Sequence, residues 1–82
     1  MRSNQKKHVH ARWVAGQIGC SQLAVGLQRA LAGLNAGERI EVVVHNEGAE
    51  IDIPAWCYMT GHELLALDHP VYIIQKQGDQ HV

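Results

Sequence analysis

The sequence predicts an α+β fold: a two-layer sandwich, β-α-β-α-β-β, with two helices packed on one face of a four-stranded mixed sheet. Three patterns carry that expectation. Apolar residues alternate over residues 9–15 and 38–45, leucines recur at helical spacing from Leu23 to Leu34, and two short apolar runs near the end flank a turn tripeptide.

Each element has its own physical reason. In the first strand Val9, Ala11, Trp13 and Ala15 share one side of a chain with period two, while His10, Arg12 and Val14 take the other. The stretch Gly16-Gln17-Ile18-Gly19 breaks that alternation, and Leu23, Leu27, Leu31 and Leu34 then follow at spacings that draw one stripe along a helix. This helix is expected to begin at Cys20 or Ser21, with a hydroxyl available as cap, and to fade at Gly33 before a turn at Asn35-Ala36-Gly37. Residues 38–45 place Ile40, Val42 and Val44 on one face of a β-branched strand. After a polar loop over residues 46–51, Asp52 is expected to cap a second helix whose first turn holds Pro54 and which ends at Thr60, with Gly61 beyond it. Residues 63–67 and 71–76, separated by Asp68-His69-Pro70, read as a closing hairpin.

Length and composition narrow the function classes. Eighty-two residues supply one modest core, so the expected organisation is a flexible arm over residues 1–8, a single domain over 9–77 and a tail over 78–82. Lys and Arg number 7 against 8 Asp and Glu, so the chain lacks the positive excess that supplies most affinity for phosphate backbones. Direct nucleic-acid binding is not expected. Nor is a membrane span or a secretory leader, because no apolar run approaches the required length and residues 1–7 are polar. Two cysteines do not make a disulfide framework, and a reducing cytoplasm suits them best.

Chemistry centres on Cys20. A helix N-terminus offers unpaired N–H groups and a partial positive charge, both of which favour a thiolate, and Gly16 and Gly19 leave the approach uncluttered. The bland alternative is a small buried hydrophobe, the usual state of an unpaired cysteine. Cys57, beside Trp56 and near Met59, reads first as packing and second as a resolving partner. His8 and His10 share a strand face, but no metal motif accompanies them, so solvated side chains are expected and no metal or cofactor is. His62 reads as capping the preceding helix. The carboxylates form no close pair for acid-base work, and no phosphate loop is present.

With these residues in view, residues 13–76 resemble the TusA/SirA family of small sulfur carriers. The likeness rests on a cysteine opening the first helix, on the pattern L-x-x-G-E-x-(I/L)-E-V at residues 34–42, on Asp52-Ile53-Pro54-Ala55-Trp56-Cys57, and on Thr60-Gly61-His62-Glu63-Leu64. In that family the cysteine of a C-P-x-P motif accepts sulfane sulfur as a persulfide and relays it. The resemblance implies that Cys20 is the acceptor; by their own chemistry Gly19, which leaves the sulfur open to approach, Ser21, which can bond the thiolate, and Cys57, as a second thiol, are candidate supporting residues. The resemblance also implies a sulfurtransferase or carrier without independent turnover, a sulfur-donor protein (a desulfurase or rhodanese-like protein) and a sulfur-acceptor protein as partners. Ser21 and Leu23 stand where the family has its two prolines, Val14 where it has an aspartate, and Glu47 where a proline is common. The alternative reading is a diverged, non-transferring module of the same fold that binds or regulates.

Overall fold

The computed structural model describes residues 9–78, the Cys20 side chain excepted. The elements run β1 (Ala11–Gly16), α1 (Cys20–Ala32), β2 (Arg39–Val44), α2 (Ala49–Thr60), β3 (Glu63–Asp68) and β4 (Val71–Gln75). One sheet orders them β1-β2-β4-β3, with β1 parallel to β2 and the remaining neighbours antiparallel. That mixture follows from the connections. A parallel pair needs a long crossover, which α1 supplies between β1 and β2, whereas the short turn at His69 and Pro70 lets β3 and β4 pair as a hairpin.

The period-two reading of the strands sets the core. Ile40, Val42 and Val44 on β2 and Tyr72 and Ile74 on β4 point to one face, in register as Ile40 opposite Ile74 and Val42 opposite Tyr72. Leu23, Leu27 and Leu31 of α1 meet them with Ala49, Ile53 and Cys57 of α2 in a single buried cluster. Leu34, just past α1, packs against its margin. Arg12 and Glu41 lie on the opposite face, where their ion pair at 3.7 Å is solvent-exposed enough to add little stability.

A glycine inside a helix is unfavourable by about 1 kcal/mol relative to alanine, so Gly26 in the second turn of α1 needs a reason. The reason lies across the layer: a Cβ on Gly26 would sit 2.2 Å from the ring of Trp13 on β1. The bare backbone of α1 is the surface on which the indole rests.

Three boundaries differ from expectation. Strand β1 is regular only from Ala11, although the His10 N–H still reaches the Arg39 carbonyl at 2.8 Å. The cap of α1 is Gly19, with Cys20 and Ser21 already inside the first turn, so no hydroxyl caps this helix. Helix α2 begins at Ala49, which puts Asp52 and Pro54 inside it rather than at its start. The cap there is Gly48, which has no side chain to bond the leading N–H groups; a turn at Asn46 leads into it, with Oδ1 accepting the Gly48 N–H at 2.8 Å and the Asn46 carbonyl accepting the Ala49 N–H at 3.0 Å. Asp52 contributes through its charge near the positive end of α2, as does Glu50. The polar stretch before Asp52 hid this turn because α2 lacks an amphipathic contrast: Ile51, Tyr58 and Met59 are all exposed. At the other end Gly61 adopts a left-handed φ of 87° and returns its N–H to the Cys57 carbonyl, the expected C-terminal glycine.

Candidate functional site

Parallel strands β1 and β2 end at the same edge of the sheet, and each is followed there by a helix start. The tie is visible in three bonds: His45 N–H to the Gly16 carbonyl at 2.8 Å, Val44 N–H to the Pro70 carbonyl at 2.9 Å, and Asn46 Nδ2 to the Ile18 carbonyl at 3.0 Å. The segment before α1, the segment before α2 and the β3–β4 turn therefore meet at one end of the molecule. In open sheets of this kind ligands and reactive groups gather beyond the carboxyl ends of the parallel strands.

The two helix starts at this end differ in charge. Helix α2 carries Glu50 and Asp52 in its first turn, which offset the positive end of its dipole. Helix α1 carries no acidic residue in its first turn, and its cap, Gly19, has no side chain with which to engage the leading N–H groups. Cys20 is the first residue of that helix. The chain reaches it through Gly16, whose φ of 71° lies in the left-handed region that favours glycine, and through Gly19, where nothing lies within 4 Å of an added Cβ. The first turn closes on a bond from the Leu23 N–H to the Gly19 carbonyl at 2.9 Å, and Leu23 is buried in the core while Ser21 is exposed.

Cys57 is a different thiol. It is 3% exposed within the core cluster, and burial pushes its pKa from the ordinary 9.0 to about 11. That shift cuts its thiolate fraction at neutral pH by roughly a hundredfold. Packing is the role its surroundings fit.

The histidines are scattered. His8 lies outside the described residues, and His10 Nδ1 accepts the Arg39 N–H at 3.1 Å. His69 Nδ1 and the Tyr72 hydroxyl share a hydrogen bond at the β3–β4 turn, and burial first and the Glu50 charge second raise the Tyr72 pKa. His62 does not reach back to α2 as a capping group would: its Nδ1 accepts the Gln77 N–H at 3.0 Å, and its ring stacks on Trp56 at 5.3 Å. Among the described residues no group of three or more His, Cys, Asp or Glu side chains is arranged to hold a metal ion. No helix among them is long and apolar enough to cross a membrane.

His62 makes a testable contribution to stability. Burial, and secondarily the charge of Lys76, hold its pKa below the ordinary 6.5. The folded chain thus binds that proton less readily than the unfolded chain, so stability declines as pH falls below about 6.5 and levels off once the folded imidazole is also protonated. Thermal midpoints measured from pH 7 down to about 5 are expected to fall less steeply in His62→Gln than in the wild type. Parallel curves for the two proteins would remove His62 from the account.

Outside the sheet end, the surface dips between α1 and α2 into a groove of about 260 Å³ lined by Leu23, Ala24, Leu27, Ala55, Trp56 and Met59, with the half-buried Asp52 beside it. It begins one turn along α1 from Cys20.

A family model described as Sulfurtransferase TusA matches residues 18–76, from the segment before α1 to the end of the sheet. The chain belongs to the TusA family. No curated protein matches it closely enough to count as a relative. Membership supports a sulfur-carrier role in general and sulfur relay with partner proteins in general. Against the C-P-x-P pattern quoted for the TusA family above, the structure shows what replaces the prolines. At position 23 a proline would lack the N–H that closes the first turn on Gly19, and Leu23 supplies both that bond and a core side chain. At position 21 an exposed serine takes the place of a ring with fixed φ. At Leu23 the first turn is held by its hydrogen bond to Gly19 and by burial in the core. Asn46, expected only as part of a polar loop, also belongs to this end of the molecule; the run Asn-Glu-Gly ahead of a helix is the local signal for the turn it forms.

Proposed function

We propose that this chain is a sulfur carrier that accepts sulfane sulfur as a persulfide on Cys20 and relays it to a partner protein. The observation that carries the reading is the placement of the family cysteine as the first residue of α1, behind a glycine cap and with no carboxylate in the first turn. An anionic sulfur at that position is favoured over a neutral one by the leading N–H groups and the helix dipole. The Cys20 thiolate attacks the outer sulfur of a donor persulfide. A new S–S bond forms on Cys20 as the donor's S–S bond breaks, and the donor cysteine leaves as a thiolate. The transferred sulfur keeps its oxidation state, so no oxidant or reductant is consumed. Delivery repeats the exchange with an acceptor thiolate attacking the outer sulfur held on Cys20.

The donor is a persulfide-bearing protein of the desulfurase or rhodanese type, the acceptor another thiol protein, and a reducing cytoplasm is the compartment that keeps Cys20 free for the exchange. The apolar groove between α1 and α2 offers either partner a seat one turn from the reactive residue. Incubation with glutathione persulfide followed by intact-mass measurement tests the reading. The wild-type chain is expected to gain one sulfur atom and Cys20→Ala none. A wild-type chain that gains nothing leaves the non-transferring module as the better description.

A further inference from the structure

We propose that Asn46 is a positioning residue for Cys20, holding the segment that leads into α1 in place through its side-chain amide; the inference rests on the carrier reading for its meaning but not for its test. One half-buried side chain reaches both helix starts: Oδ1 accepts the Gly48 N–H at 2.8 Å, and Nδ2 donates to the Ile18 carbonyl at 3.0 Å across 28 positions of sequence. Ile18 is two residues before Cys20, and between them stands only Gly19, the residue least able to hold a conformation unaided. Backbone bonds hold the two ends of this segment, through His45 N–H to the Gly16 carbonyl at 2.8 Å and Leu23 N–H to the Gly19 carbonyl at 2.9 Å, and the Ile18 side chain packs against the core cluster. Between those ends the Asn46 donor ties the Ile18 carbonyl to the segment that follows β2.

Two amide atoms have separable roles. The acceptor serves the turn that leads into α2, where Gly48 is the cap, and the donor serves the approach to α1. Both group types are needed at once, and a carboxamide on a short stem supplies them together. With Ser21 and Leu23 in the places of two conformationally fixed residues, a cross-link from outside the segment restores what local chain stiffness does not provide.

The test separates the two roles in the full chain. Asn46→Ser retains an oxygen that can accept the Gly48 N–H but has no amide to reach Ile18, and Asn46→Ala removes both. The readout is the pH profile of Cys20 alkylation by iodoacetamide, with the thermal midpoint and the Cys57 alkylation rate as measures of folding alone. In Asn46→Ser the Cys20 profile is expected to move upward by several tenths of a pH unit to about one, equivalent to roughly 3- to 10-fold less thiolate below the midpoint. Cys57 alkylation and the thermal midpoint should stay near wild type in that variant, and both should change in Asn46→Ala. Should Asn46→Ser not fold, Asn46→Asp keeps the acceptor and is compared at high salt, where the added charge is screened. An unchanged Cys20 profile in a folded variant overturns the proposal and leaves Asn46 as a turn residue before α2 only. A shifted profile in a chain whose wild type takes up no sulfur sustains the positioning role and rejects the carrier reading instead.

Discussion

In the native protein, Cys20 is expected to alkylate more than about a hundredfold faster than Cys57 near neutral pH. The Cys57 side of that ratio follows from its surroundings: a core position 3% exposed and a pKa pushed to about 11 leave little thiolate and little access. The Cys20 side follows from its place as the first residue of α1, where the leading N–H groups and the dipole favour the anion and no acidic neighbour in the turn opposes it. Its alkylation midpoint is accordingly expected below that of the same thiol in the unfolded chain. Iodoacetamide labelling followed by peptide mass analysis gives both rates in one experiment. Denaturant should erase most of the contrast, since unfolding gives both thiols ordinary surroundings. Equal native rates would mean that the two cysteines share an environment, contrary to the account.

Gly26→Ala is expected to destabilise the fold by about 1–3 kcal/mol, although alanine is the better helix former by about 1 kcal/mol. The added Cβ would lie 2.2 Å and 2.5 Å from two atoms of the Trp13 ring, closer than any non-bonded contact allows. Trp13 cannot simply swing away, because it is packed against the core cluster from β1, and a rigid indole moves as a whole. Either the ring leaves its site or α1 lifts from the sheet, and α1 carries Leu23, Leu27 and Leu31 with it. For an 82-residue chain whose total stability is on the order of 4–12 kcal/mol, that loss is a large share. Urea unfolding of the single variant, and of the double variant with Trp13→Leu, measures it. The strain should largely disappear in the double variant, exposing the helical advantage of alanine. A single variant as stable as wild type would show that the layers can part at no cost.

What the sequence made legible follows the range of the signals. The leucine stripe over α1, bounded by Gly19 and Gly33, and the β-branched alternation in β2 are local patterns, and both elements lie where they were expected. Helix α2 is harder because Ile51, Tyr58 and Met59 make it apolar on its outer side as well, so periodicity marks no buried face, and its cap lies at Gly48, four residues before Asp52. Gly26 carries no local message at all: its meaning depends on Trp13, thirteen positions earlier and one layer away. Cys20 at the head of α1 could be read directly from the glycines before it and the leucines after it. Asn46 could be read as a turn residue from its neighbours, but its bond to Ile18 joins segments that only the parallel pairing of β1 and β2 brings together.

Locating the added sulfur atom tests the central claim most directly. After exposure to glutathione persulfide and capping of the product with an alkylating reagent, peptide mass mapping of the wild type and of Cys57→Ala should find the extra sulfur on the peptide that contains Cys20, in both proteins. An extra sulfur found on the Cys57 peptide, or on neither, would contradict it.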